Sequence, residues 1–379
     1  MALRVYQLWK GRNIFLLKGR LVFGPDAKSI LITLLLIIVP VFIFVTFIGR
    51  KFVDKVNAGY AISPLIIVFT IFVLFLLFMT SASDPGFVPR NSSPPDEVLV
   101  SDISVFNDTG ERNTQGTKLP RIKQVFVNRL PVKVKYCETC MLFRSPRCSH
   151  CSVCDNCVEK FDHHCPFVGQ CIGRRNYRCF FLFISASAIL CISVFSLSAF
   201  YMKLVVDDYA SIWEAVKNSP APLIVMVYCF LLLWFVGGLT GFHLYLMSTN
   251  QTTYEFFRCR ANTRINVYDQ GCMENLSEVF CRKIVPSKIN FREYVQEASR
   301  NCRISIQQRE AHFMNEDKRE KVEDDREIGN DLWKISQRRD SKEIDDARIS
   351  RGSDGFPRSS GGFSRSPSEF CFGGFGMEA

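Results

Sequence analysis

Long unbroken apolar runs alternate along this chain with polar, basic and cysteine-rich stretches. Four runs, at residues 29–49, 61–80, 179–202 and 223–247, reach the roughly 20 residues that an α-helix needs to cross about 30 Å of hydrocarbon. They predict an all-α integral membrane protein with four transmembrane helices. Four buried core helices of a soluble protein would need far more polar covering chain than exists. Around the runs the chain divides into a basic and aromatic N-terminus (1–28), helices 1 and 2 (29–83), a loop (84–135), a cysteine-rich insert (136–178), helices 3 and 4 (179–247), a membrane-proximal segment (248–288) and a tail (289–379). Residues 87–118 are Ser/Pro/Asn/Asp-rich and read as loop. The tail is charged and helix-forming in composition to about residue 350. Its Gly/Ser/Arg/Phe-rich end reads as disordered, a solvated stretch rather than one defined by phosphorylation or by acylation of Cys371.

Composition supports the membrane assignment, since 47% of the 379 residues are hydrophobic and 34 are phenylalanine. The first run begins only near Ser29 with no small-residue cleavage pattern after it, so it reads as an anchor and not a signal peptide. Arg4, Lys10, Arg12, Lys18, Arg20 and Lys28 precede it with only Asp26 opposing. The positive-inside rule therefore places the N-terminus in the cytosol. An even number of spans returns the C-terminus there, and the insert between helices 2 and 3 is cytosolic as well. Golgi, endoplasmic reticulum, plasma membrane and vacuole all fit this topology. A reducing cytosol favours metal-bound over disulfide-bonded cysteines and leaves the sequons at Asn91, Asn107, Asn250 and Asn275 unmodified. The net charge of +10 suits an anionic leaflet or a polyanionic ligand. Nucleic acid is disfavoured, because the basic residues are not interleaved with exposed aromatics.

The chemistry is concentrated between Tyr136 and Tyr177, where eight of sixteen cysteines and three of five histidines fall in one run. Cys137, Cys140, Cys148, His150, Cys151, Cys154, Cys157, His163, His164, Cys165 and Cys171 are all possible ligands, whereas a structural zinc needs only four. Two zincs leave three groups over. A C-x-x-C step lets one tight turn aim two thiolates at one ion. Asp162, His163 and Cys165 supply a carboxylate, an imidazole and a thiol within four residues, the parts of an activated nucleophile. In extended chain His164 faces a metal while His163 and Cys165 share the opposite side. The run lacks sustained apolar periodicity, so it should fold as short hairpins and turns stapled by metal.

Four spans with a cysteine-rich insert ending in Asp162-His163-His164-Cys165 closely resemble the DHHC-type protein S-acyltransferases, or palmitoyltransferases. The insert fits the family pattern C-x2-C-x9-H-C-x2-C-x2-C-x4-D-H-H-C-x5-C at Cys137, Cys140, His150, Cys151, Cys154, Cys157, Asp162 to Cys165, and Cys171. Asp84-Pro85-Gly86, Thr252-Thr253-Tyr254-Glu255 and Asn275 match the flanking motifs. Phe167 and Gln170 stand where Trp and Asn are commoner, which is similar to plant members. The resemblance covers about residues 25–280. It implies one zinc on Cys137, Cys140, His150 and Cys157 and another on Cys151, Cys154, His164 and Cys171. Spacing alone equally allows Cys148 as a ligand or a different partition.

The resemblance further implies palmitoyl transfer from palmitoyl-CoA to cytosolic cysteines of membrane-associated proteins, through acyl-Cys165, with His163 as its base or ion-pair partner and Asp162 orienting the ring. Lys160, Arg174, Arg175 and Arg178 are candidates for the CoA phosphates, with lipid headgroups the alternative for each. Thr252 and Thr253 are candidates to hydrogen-bond the active segment, Asn275 to satisfy buried backbone, and His243 reads as a packed polar residue. Gly237, Gly238 and Gly241 suggest close helix contact or a kink in the fourth span. A non-catalytic zinc adaptor has no use for Asp162-His163-x-Cys165 beyond eight ligands. A transporter would need intramembrane charges or broken helices that these spans lack.

Overall fold

Every long apolar run is helical in the computed structural model, which describes residues 2–56, 59–95, 122–209, 211–259 and 266–295. Hydrocarbon offers the backbone no partners, so a span must satisfy its own N–H and C=O groups. The four helices are Ala27–Lys55, Gly59–Ser81, Tyr177–Val206 and Ala221–Ser248. Each overshoots its apolar run, because polar residues such as Lys28 and Arg178 continue the terminal turns. The first span contains Pro40, and its i→i+5 segment Phe44–Gly49 follows within one turn, as expected where a missing proline N–H perturbs the ladder. Phe44, Ile48, Phe52, Val73, Leu77 and Phe180 are fully enclosed where the spans meet. Leu31, Phe42, Leu65, Ile71 and Trp234 point outward and are exposed, as lipid-facing side chains are.

Helix does not extend through the insert, so the all-α expectation needs correcting. The chain there forms antiparallel hairpins: Ser149–Cys151 with Asn156–Val158, and His163–Cys165 with Gln170–Ile172. A longer hairpin pairs Ile122–Val127 with Leu130–Cys137 across Asn128 and Arg129, whose φ values of 50° and 62° are those of a tight two-residue turn. These strands are too short to bury an apolar face, which is why side-chain chemistry must hold them.

The N-terminus is a structural partner of the insert. Trp9 stacks edge-on against Phe291 at 5.3 Å and lies 6.1 Å from Phe87. The strand Leu21–Phe23 is tied to the end of the second span by Val22 N–H donating to the Ala82 carbonyl (2.9 Å). Gln170, fully buried, donates to the Val22 carbonyl at 2.7 Å. The calls on residues 96–118 of the loop and on the tail from residue 296, Cys371 included, lie outside the described residues.

Candidate active site and metal centres

Two four-donor clusters emerge from the hairpins. Cys137, Cys140, His150 and Cys157 converge in one and Cys151, Cys154, His164 and Cys171 in the other, with ligand atoms within 4.8 Å of each other. The sets interleave along the chain. In the first, His150 Nδ1 lies 3.6, 3.5 and 3.8 Å from the sulfurs of Cys137, Cys140 and Cys157. In the second, His164 Nδ1 lies 3.8, 3.4 and 3.5 Å from those of Cys151, Cys154 and Cys171. Zinc bonded at about 2.3 Å to sulfur and about 2.0 Å to nitrogen in a tetrahedron requires an S···N edge of about 3.6 Å. Three thiols and an imidazole at those distances fit zinc in both clusters.

The opposite ring nitrogens meet carboxylates. His150 Nε2 is 3.4 Å from Asp155 and His164 Nε2 is 3.1 Å from Asp26, the arrangement that orients a metal-bound imidazole. Asp155 sits in the tight turn between the two strands that supply ligands, with φ 53°. Nothing in the sequence singled it out, nor Asp26, which reaches His164 from the start of the first span. Cys148 belongs to neither cluster and is packed among Cys137, Cys140, Leu142 and Cys157.

Asp162, His163 and Cys165 form a separate group beside the second cluster. His163 Nδ1 lies 2.6 Å from Asp162 Oδ2. The Asp162 carboxylate is buried at 1% exposure and accepts from Thr253 N–H (2.9 Å) and Thr253 Oγ1–H (2.8 Å). Burial alone would raise the Asp162 pKa, but the hydrogen bond and charge of His163, with further help from His243 and Thr253, hold it below the usual carboxylate range. Burial alone would lower that of His163; hydrogen bonding and charge from Asp162 and Cys165 outweigh it and raise it to about 10. Cys165 is buried in the apolar cluster of the spans with Ile172 and Phe180. Asp162, His163 and His243 also lie close enough to be three ligands of one ion. The 2.6 Å Asp162–His163 bond and the Tyr177 hydroxyl on His243 Nδ1 at 3.0 Å engage these groups as hydrogen-bond partners instead.

The segment after the fourth span braces this group. Thr252 and Glu255 form a reciprocal capping box, Thr252 N–H to Glu255 Oε2 at 2.8 Å and Glu255 N–H to Thr252 Oγ1 at 3.1 Å. Arg147 grips the same Glu255 with two bonds of 2.8 and 2.7 Å and reaches Asn250 Oδ1 at 2.8 Å. Sequence reasoning missed Arg147, because its partners lie more than one hundred residues away. Its side chain is 9% exposed, so Arg147→Gln strands Glu255. Losing one partner of such a pair costs about 3 kcal/mol or more. The expected outcome is a lower melting temperature in detergent, with Glu255→Gln recovering part of the loss in the double variant; additive losses would show that the pair is not coupled.

The remaining motif residues act as ties. Asp84 Oδ1 accepts from Gly86 and Phe87 N–H at 2.8 and 2.9 Å, and Arg175 Nη1 donates to its Oδ2 at 2.7 Å. Asn275 donates to the Ser248 carbonyl at 2.8 Å and accepts from Gln270 N–H at 3.0 Å. Phe167 is 45% exposed with its ring 5.7 Å from that of Phe235 in the fourth span.

Lys160, Arg174, Arg175 and Arg178 line one cavity of about 150 Å³. Lys160 is bonded to Glu278 at 2.9 Å, and Arg178 donates to the carbonyls of Val279 and Arg282. Arg174 is half exposed, 3.8 Å from Glu159.

Residues 132–260 match the model of the DHHC palmitoyltransferase family. The chain is 54% identical to Protein S-acyltransferase 8 of Arabidopsis thaliana over 89% of its own length and 85% of that protein's. It is 51% identical to Probable protein S-acyltransferase 9 of the same plant, over 91% and 85% of the two chains.

Proposed function

The chain belongs to the plant-type DHHC palmitoyltransferases, and from that premise we propose that it moves a palmitoyl group from palmitoyl-CoA to protein cysteines by a ping-pong cycle through acyl-Cys165. As a protein S-palmitoyltransferase it exchanges one thioester for another, so its task is activation and positioning. The observation that carries the reading is the Asp162–His163–Cys165 group, held apart from eight metal donors by Thr253. An ordinary thiol is mostly un-ionised at neutral pH, and the thiolate is the nucleophile.

Asp162 keeps His163 protonated at neutral pH, so His163 holds the proton of Cys165 and is charge-paired with its thiolate. The sulfur then bonds to the thioester carbon and the C–S bond to CoA breaks. CoA leaves as the thiol after taking the proton back from His163. A substrate cysteine, deprotonated by His163, attacks the acyl-enzyme and regenerates Cys165. The acyl chain fits the apolar side of the thiol, where each buried methylene contributes about 0.8 kcal/mol. Cys137, Cys140, His150 and Cys157 would hold one zinc and Cys151, Cys154, His164 and Cys171 the other, each supplying a structural cross-link between the hairpins. With the N-terminus, insert and C-terminal segment cytosolic, the thiol lies at the cytosolic edge of the bilayer, within reach of membrane-associated proteins.

The test is a two-step transfer. Purified protein is charged with a labelled palmitoyl-CoA, freed of donor, and then given a cysteine-containing acceptor. Hydroxylamine-sensitive label on the protein that moves to the acceptor supports the cycle; transfer only while donor is present would rule out the covalent intermediate. Thr253→Val keeps the N–H bond to Asp162 and removes the hydroxyl bond. A hydrogen bond to a charged group contributes about 1.5–3 kcal/mol, so kcat should fall roughly 10- to 100-fold. KM for palmitoyl-CoA should change little, and an equal rise in KM would place Thr253 in donor binding instead.

A further inference from the structure

Six cations, Lys160, Arg174, Arg175, Arg178, Arg282 and Lys283, line the cavity between the cytosolic ends of the third and fourth spans and the helix Cys272–Phe280. Glu278 is the one carboxylate in that lining, and it already accepts from Lys160 and from Asn250 Nδ2 at 2.9 Å each. Arg178 meets only backbone carbonyls, and among the described residues no carboxylate pairs with it or with Lys283. Arg282 has Glu274 at 3.7 Å, both exposed. The third span begins at this cavity, and the amino end of a helix adds positive partial charge. Arg174 and Arg175 have partners behind the lining, Glu159 at 3.8 Å and Asp84 at 2.7 Å, so the positive charge left over at this cavity is that of Arg178, Lys283 and the helix end, which suits an anionic phosphate.

The lining also carries Leu246, Met247, Val279 and Ile284. Ile284 is 50% exposed beside the exposed Arg282 and Lys283, an apolar and basic mixture typical of the headgroup level. Neither Cys165, His163 nor Asp162 lines it. Tyr177 stands between, its hydroxyl on His243 Nδ1, and the His243 ring lies 5.9 Å from that of His163.

We propose that this cavity binds the phosphate headgroup of an anionic phospholipid of the cytosolic leaflet, with the acyl tails running along the exposed apolar residues. CoA is the other phosphate-bearing source, and the test separates the two. The inference rests on the cytosolic placement given above but not on the acyl-transfer chemistry.

The experiment uses the full-length Cys165→Ser protein, delipidated in neutral detergent and titrated with phosphatidic acid or phosphatidylcholine, with bound lipid read by native mass spectrometry. Phosphatidic acid should be retained over phosphatidylcholine. Adding Arg282→Gln and Lys283→Gln, both at exposed positions, should weaken it roughly tenfold or more, given the attraction that each basic residue contributes near an anionic surface. Lys133→Gln with Lys135→Gln removes the same charge from exposed positions of the strand Leu130–Cys137 and should leave retention unchanged. Excess CoA should not displace the lipid. Equal retention of the two lipids, equal effects of the two double variants, or no effect of the first would overturn the proposal. Displacement by CoA would overturn it in favour of a CoA-phosphate site. Zinc content of each variant reports that the insert remains folded.

Discussion

Cys165→Ser should abolish acyl transfer, lowering the rate by roughly 10³-fold or more as loss of a covalent nucleophile does, while leaving zinc content and folding unchanged. A serine hydroxyl fills nearly the same volume at a buried position but is far less acidic than a thiol, so His163 cannot draw its proton to form a nucleophile of comparable strength. Cys165 lies outside both four-donor clusters, and the backbone bonds of its hairpin to Gln170–Ile172 do not involve the sulfur. The loss should therefore appear in label incorporation alone. Serine at Cys171, next to Gln170, the residue that pairs with Cys165 on the same hairpin, should instead lose zinc. Should Cys165→Ser acquire hydroxylamine-sensitive label at the wild-type rate, the nucleophile is elsewhere. Exposed Cys272 and Cys281 would then be the thiols to replace next. The comparison also discriminates against a zinc adaptor, which would keep partner binding in the serine variant and show no transfer in either protein.

Different physics governs what could be read from the chain and what could not. Spans are legible because lipid imposes a one-dimensional rule on length and polarity, and the helices around 29–49 and 179–202 need no knowledge of their neighbours. The Cys/His run was legible as a metal-stapled region because short turn spacings bring its C-x-x-C pairs together locally. The partition of ligands was not; it came from resemblance, since the two clusters interleave. Asp26 on His164, Arg147 on Glu255 and Gln170 on Val22 join residues far apart in sequence. Such pairs leave no periodicity, and a lone acidic or basic residue reads as a solvated charge. Thr253 was anticipated through its motif, but its two hydrogen bonds to Asp162 depend on where the fourth span ends. The N-terminus looked like a basic lead because its aromatic residues have no partner until Phe87 and Phe291 arrive from elsewhere.

Removing zinc should unfold the insert and stop catalysis while the four spans keep their helices. One buried cluster of the insert consists of Cys137, Cys140, Leu142, Cys148 and Cys157, four thiols and a single leucine, so little apolar surface remains to hold it without metal. Structural zinc contributes an apparent 10–16 kcal/mol or so at neutral pH, more than such a cluster can replace. Interleaving makes the loss cooperative. Cys151 and Cys154 of one site lie between His150 and Cys157 of the other, on the hairpin Ser149–Cys151 with Asn156–Val158. Cys154→Ala should therefore release more than its own ion. The second cluster also includes His164 and Cys171, which are paired across the hairpin that carries His163 and Cys165, so a metal there would fix the position of the proposed nucleophile directly. Chelator treatment in detergent should drive transfer to background and open residues of the insert to protease. Far-UV helical signal should persist, because each span satisfies its backbone internally. Transfer that continues after measured zinc reaches zero would show that the hairpins hold the Asp162–His163–Cys165 geometry without metal.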